Sequence, residues 1–151
     1  MKKIFFILLL IFPTNINSIV YDFEPRYISL KKDKTFARHN ASFDAGIKYI
    51  YQKKNLPVLI TNEHGAWRKI LDIDNHWGWV HTSMISNKKT FINKKEQNLF
   101  KYKDNTNVII AIVKKNVVGK IVNCYEKFCK VKVGSYKGWV EKKNLWGIKE
   151  N

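Results

Sequence analysis

The chain has 151 residues and a formal net charge of +16, with 28 Lys and Arg against 12 Asp and Glu. That length fits one average domain or two very small ones, and 45% apolar residues are too many for a chain that stays unfolded. Only two cysteines are present, which excludes a disulfide-dense scaffold and leaves room for a single staple.

Met1-Lys2-Lys3 is a basic start, Ile4 to Phe12 an unbroken apolar run, and Pro13 to Ser18 a polar stretch. That order reads as a secretory signal peptide over residues 1–18, cut after Ser18. The apolar run is too short for a membrane span, which needs about 20 residues, so the mature chain is expected to have none. A retained N-terminal anchor is the competing reading, and no lipobox cysteine is present. Removing Lys2 and Lys3 leaves +14, with 26 basic residues against 12 acidic. Such a field favours polyanionic partners. Export moves nucleic acid off the list and brings forward envelope polymers and acidic headgroups.

The mature chain reads as short strands. Pro25 holds Glu24 extended, and Tyr27–Leu30, Lys34–Arg38 and Ile47–Tyr51 alternate apolar with polar or basic positions. Leu56–Thr61 is more apolar, with Pro57 near its start, where a missing N–H costs least. Residues 62–66 are expected as a turn, followed by strands at Trp67–Ile73 and Trp77–His81 and one tight helical turn over Thr82–Ser86. Asn87-Lys88-Lys89 makes a joint. Strands are then expected near 90–93, 97–101, 108–113, 117–123, 128–133 and 138–140. No helical period is sustained anywhere in the mature chain.

This order is a repeat. Trp67-Arg68-Lys69-Ile70 leading to Gly78-Trp79-Val80 returns as Phe128-Cys129-Lys130-Val131 leading to Gly138-Trp139-Val140. Upstream, residues 53–60 align with 114–121, and Thr35-Phe36-Ala37-Arg38 aligns with Asn98-Leu99-Phe100-Lys101. Two all-β units are therefore expected, at 19–86 and 87–151. Each alone is small enough to be marginal. Cys124 and Cys129 flank a hairpin turn, and in an exported chain an even pair at that spacing favours a disulfide over two buried thiols.

Strand-loop-strand units ending in Gly-Trp-Val resemble bacterial SH3-like (SH3b) domains. Residues 25–31 and 80–86, the segment from Val122 to Val131 and Leu145-Trp146-Gly147 are similar to one exported SH3-like family. The resemblance implies two tandem five-stranded barrels and a non-enzymatic binding role, often toward peptidoglycan or its peptide stems, sometimes as a protein-interaction or spacer module. The chain departs from the usual pattern at His39–Asp44 and at Lys101–Asp104, the loop that would line a ligand cleft.

Candidate ligand residues follow from chemistry. Trp77 and Trp79 are two residues apart and share a strand face where no bulge intervenes. Trp79 and its repeat Trp139 are stacking candidates, with a place in the barrel core or at a hinge between sheets as the alternative, and Trp146 is either a stacking surface or a seal between units. Arg38 precedes the variable loop, where a guanidinium can fork onto a carboxylate, or pair with Asp33 or Asp44 of its own unit. Tyr51 is a further aromatic candidate, with packing as the alternative. Catalysis is not expected: the four histidines are scattered through the first unit, and no phosphate loop or His-Glu metal motif is present. No metal or other cofactor is expected, and Asp72 with Asp74 reads as a hairpin feature. The partners implied are peptidoglycan or another anionic envelope polymer, or a protein, with the chain periplasmic or secreted.

Overall fold

The computed structural model describes residues 23–149, so the signal-peptide reading lies outside the described residues. Two seven-stranded antiparallel sheets follow one another along the chain. The first contains β1 (Arg26–Leu30), β2 (Thr35–Arg38), β3 (Ile47–Tyr51), β4 (Pro57–His64), β5 (Trp67–Leu71), β6 (Trp77–His81) and β7 (Ile85–Ser86). The second contains β8 (Thr90–Asn93), β9 (Gln97–Phe100), β10 (Ile109–Val113), β11 (Val118–Cys124), β12 (Phe128–Val133), β13 (Tyr136–Glu141) and β14 (Leu145–Trp146). The order β3-β2-β6-β5-β4-β1-β7 in one sheet is repeated as β10-β9-β13-β12-β11-β8-β14 in the other. Among the described residues no helix is long and apolar enough to cross a membrane.

Each sheet curls around its own core. Leu30, Ala37, Val58, Ile60, Ile70 and Val80 fill the first; Phe91, Leu99, Ile121, Val131, Val140 and Leu145 fill the second. Alternation along the strands supplies these residues, as the pleat requires. Equivalent positions have traded volume. Ile28 and Val58 in the first core give way to Phe91 and Gly119 in the second, where a Cβ on Gly119 would lie 2.5 Å from Phe91 Cε1. Leu30 gives way to Asn93, fully buried, whose Nδ2 donates to the carbonyls of Lys95, Val113 and Lys114 and whose Oδ1 accepts from Gln97. A buried amide satisfied on both ends escapes the desolvation cost of an unpaired one.

The structure amends the expected elements in three places. Seven strands per sheet replace the six expected along each unit, because the two-residue closing strands Ile85–Ser86 and Leu145–Trp146 pair with the leading strands, and the helical turn of the first unit is confined to Thr82–Met84. The turn at 62–66 shrinks to Gly65-Ala66, since β4 runs on to His64 and Gly65 takes a left-handed φ of 51°. Upstream, the repeat is shifted by one. Arg38 pairs with Trp79 and Phe100 with Trp139, so Phe100 and not Lys101 stands where the first unit has Arg38.

Cys124 and Cys129 are joined as a disulfide between β11 and β12. The same cross-strand slot in the first sheet holds Glu63 opposite Arg68, paired at 3.2 Å. One barrel therefore closes this hairpin with a covalent bond and the other with an exposed ion pair, worth at most about 1 kcal/mol.

Two stability outcomes are expected. Replacing both cysteines with serine lowers unfolding free energy by about 2 kcal/mol, the chain-entropy value for so short a loop, as read by denaturant titration. Gly119→Ala destabilises by about 1–3 kcal/mol through overpacking, and pairing it with Phe91→Leu costs less than the two single changes added together.

Candidate ligand-binding face

The best-organised surface feature starts from Asp72, a buried carboxylate at the end of β5. Its Oδ1 accepts from the backbone N–H groups of Asp74 and His76, both at 2.9 Å, and its Oδ2 accepts from the Tyr51 hydroxyl at 3.2 Å. His76 Nδ1 lies 3.1 Å from the same oxygen. With Asn75 in the left-handed region at φ 64°, these bonds fix the turn that delivers Trp77 into β6. Burial, and then the Asp72 charge, push the Tyr51 hydroxyl above its ordinary pKa. Ligand atoms of Asp72, Asp74 and His76 lie within 4.8 Å of one another, yet both Asp72 oxygens are already engaged by the turn itself. The hydrogen bonds of the group brace the turn.

Trp77 leaves that turn facing outward, 37% exposed. Lys48 Nζ sits 3.0 Å from its ring centroid and Lys69 Nζ 4.4 Å. Desolvation, and then the Lys69 charge, hold Lys48 below the usual lysine pKa. Two residues on, Trp79 points to the same side, half-buried and outside the core cluster, between Lys69 on β5 and Arg38 on β2. The outer face of the first barrel is thus an indole pair set among three cations.

Arg38 Nη1 donates to the carbonyl of Ala45 at 2.6 Å, not to Asp33 or Asp44, and so braces the loop between β2 and β3. That loop carries Phe43, 65% exposed, whose ring meets Trp67 at 4.9 Å and His81 at 5.1 Å. The variable loop therefore extends the aromatic face. Tyr51 is placed apart from it, with its hydroxyl donating to Asp72 and its ring packed on the core.

In the second barrel Trp139 lies on the equivalent face, with Tyr125 at 5.6 Å and Lys130 Nζ at 5.5 Å. Lys137 takes the position of Trp77, so this face has one indole. Trp146 is elsewhere. Its ring meets Tyr27 of the first barrel edge-on at 5.1 Å, and it seals the joint between the units.

The sequence model described as Bacterial SH3 domain matches residues 31–87 and again 93–147. The chain belongs to the bacterial SH3 domain family. No curated protein is significantly similar to it. Among solved structures it is similar to NlpC2 from Trichomonas vaginalis, at 15% identity and a TM-score of 0.38, covering 82% of this chain and 48% of that one. NlpC1 from the same organism is similar at 16% identity and a TM-score of 0.38, covering 81% and 45%. The chain spans about half the length of those two proteins, and likeness at this level carries no argument about activity.

Within this bacterial SH3 pair, four contributors to the first face escaped sequence reasoning: Lys48, Lys69, His76 and Phe43. Lys69 had a signal, since it precedes Ile70 as Trp79 follows Gly78, and the observed hairpin register sets the two opposite each other. Lys48 had none, because its place depends on a bulge where β2 and β3 slip between Ala37 and Arg38.

The Lys48–Lys69 coupling is open to measurement. In a pH titration followed by NMR at the lysine side chains, Lys69→Gln raises the Lys48 midpoint; an unmoved midpoint shows that the Lys69 charge is not felt there.

Proposed function

We propose that this tandem bacterial SH3 protein is a non-catalytic binding module of the cell envelope, exported to the periplasm or beyond, that recognises peptidoglycan through its peptide stems. The observation that carries this reading is the outer face of the first barrel, where Trp77 and Trp79 stand beside Lys48, Lys69 and Arg38. An indole offers a broad apolar surface for stacking, and a cation next to it attracts the carboxylate of a stem peptide. Family membership and the disulfide, a bond that persists in oxidising compartments, support the same assignment.

A second reading, a protein adaptor, is favoured by the sheet edges. β3 and β10 each end their sheet and expose apolar residues, Ile47 and Ile50 on one, Ile109 and Ile112 on the other. An open edge of this kind can accept a partner strand.

Sedimentation of the mature protein with purified sacculi across a salt series separates the two. Peptidoglycan recognition gives saturable binding that survives moderate salt and falls about tenfold or more in Trp77→Ala, the loss of a central aromatic contact. Binding erased by modest salt indicates attraction to anionic surfaces alone, since exposed charges are screened beyond about 8 Å. No binding, with one stoichiometric protein recovered by pull-down, selects the adaptor.

A further inference from the structure

A second concave surface lies between the barrels, far in character from the indole face. The joint is only Asn87-Lys88-Lys89, and Tyr27 against Trp146 and the Glu24–Lys149 ion pair draw the units together on one side of it. Gly147 closes the contact: at φ 103° it passes so near that a Cβ would lie 2.7 Å from the Thr90 carbonyl and 2.8 Å from Pro57 Cβ. What remains is a cleft of about 750 Å³, walled by residues 24–28 of the first barrel and by β11 with its disulfide-held turn, 121–126, of the second. That volume is in the range of sites that enclose a ligand of modest size.

Its lining combines two chemistries. Five basic side chains face two acidic ones, and of the five, Arg26 and Lys149 are neutralised by Glu63 and Glu24. Lys88, Lys89 and Lys142 form no ion pair among the described residues. Beside them the wall is apolar: Val122 and Tyr125 are about half exposed, at 48% and 49%, with Ile121 and Ile148 behind. Thr90 is in the same lining, and its buried hydroxyl has no hydrogen-bond partner.

We propose that this cleft is a docking site for an extended acidic peptide segment of a partner protein, with carboxylates on Lys88, Lys89 and Lys142 and an apolar side chain against Val122 and Tyr125. A phosphate polymer would answer the lysines but leave the apolar wall wet. A hydrophobic segment would cover the wall and strand three charges. An acidic chain interrupted by leucine satisfies both. The site is separate from the indole face of the first barrel, using neither Trp77 nor Arg38; it shares Tyr125 with the Trp139 face, and it needs both barrels.

The test uses the whole mature protein and fluorescence anisotropy with a labelled peptide alternating glutamate and leucine. Oligoglutamate of the same charge and inorganic polyphosphate serve as rivals. The expected result is saturable binding of the alternating peptide, weakened about tenfold or more by Lys88→Glu with Lys142→Glu, charges that steer and hold an acidic partner. Val122→Ser, which removes the apolar surface without adding charge, weakens it about tenfold through loss of the buried apolar contact. All three positions are at the surface, so the melting temperatures of these variants stay near that of the parent. Trp77→Ala leaves this binding unchanged, and the cleft variants leave sacculus binding unchanged, so failure of either site is visible apart from the other. Absence of peptide binding, equal affinity for oligoglutamate or polyphosphate, or indifference to Val122→Ser overturns the proposal.

Discussion

The barrels close where a glycine lets two strands touch. A Cβ on Gly78 would lie 2.8 Å from the Ala37 Cβ, and one on Gly138 would lie 2.6 Å from the Phe100 carbonyl oxygen. No other residue fits so close a crossing. At that crossing β2 joins β6, and β9 joins β13, each through one register pair that includes the tryptophan next to the glycine. Everything beyond depends on it. Of its strand pairings with the rest of the sheet, the β2–β3 hairpin has that one register pair, and the pleat sends the neighbouring tryptophan outward while Val80 and Val140 turn into the core. The aromatic face is thus a geometric consequence of closure as much as a feature laid on top of it.

Around this shared closure the two halves have diverged by compensated exchange. The Phe91–Gly119 pair fills the space held by Ile28 and Val58, so total volume changes less than either residue alone. Asn93 enters a core position that Leu30 occupies, but brings four hydrogen bonds with it. The disulfide and the Glu63–Arg68 pair occupy one slot. Surface exchanges carry no such compensation. Arg38 becomes Phe100 and Trp77 becomes Lys137, which turns one face into two different ones.

How much of this was legible follows from which constraints are local. The repeated Gly-Trp-Val, the alternation of the strands and the hairpin cysteines are set by short-range rules, and the tandem all-β architecture followed from them. Sequence likeness aligns Arg38 with the nearest base, Lys101, whereas strand pairing aligns it with an aromatic, Phe100. Polar Asn62, Glu63 and His64 read as loop in sequence, although an exposed β-ladder tolerates them. Trp77 and Trp79 on one side came from periodicity alone. Lys48 over Trp77, Phe43 over Trp67 and Tyr27 against Trp146 join segments that only the closed fold brings together, and no spacing rule reaches them.

The three-residue joint has a consequence for valency. A flexible tether lets two modules search independently, and the second binding event then gains from an effective concentration that falls slowly with tether length. Here the slack is almost nil, and a ring contact and an ion pair pin the two halves. If one polymer engages both tryptophan faces, as the proposed function allows, that engagement is all-or-none in its geometry: a repeat spacing that suits the pair receives the full avidity, and one that does not receives none. The protein would act on a polymeric ligand as a gauge of its period as well as of its chemistry.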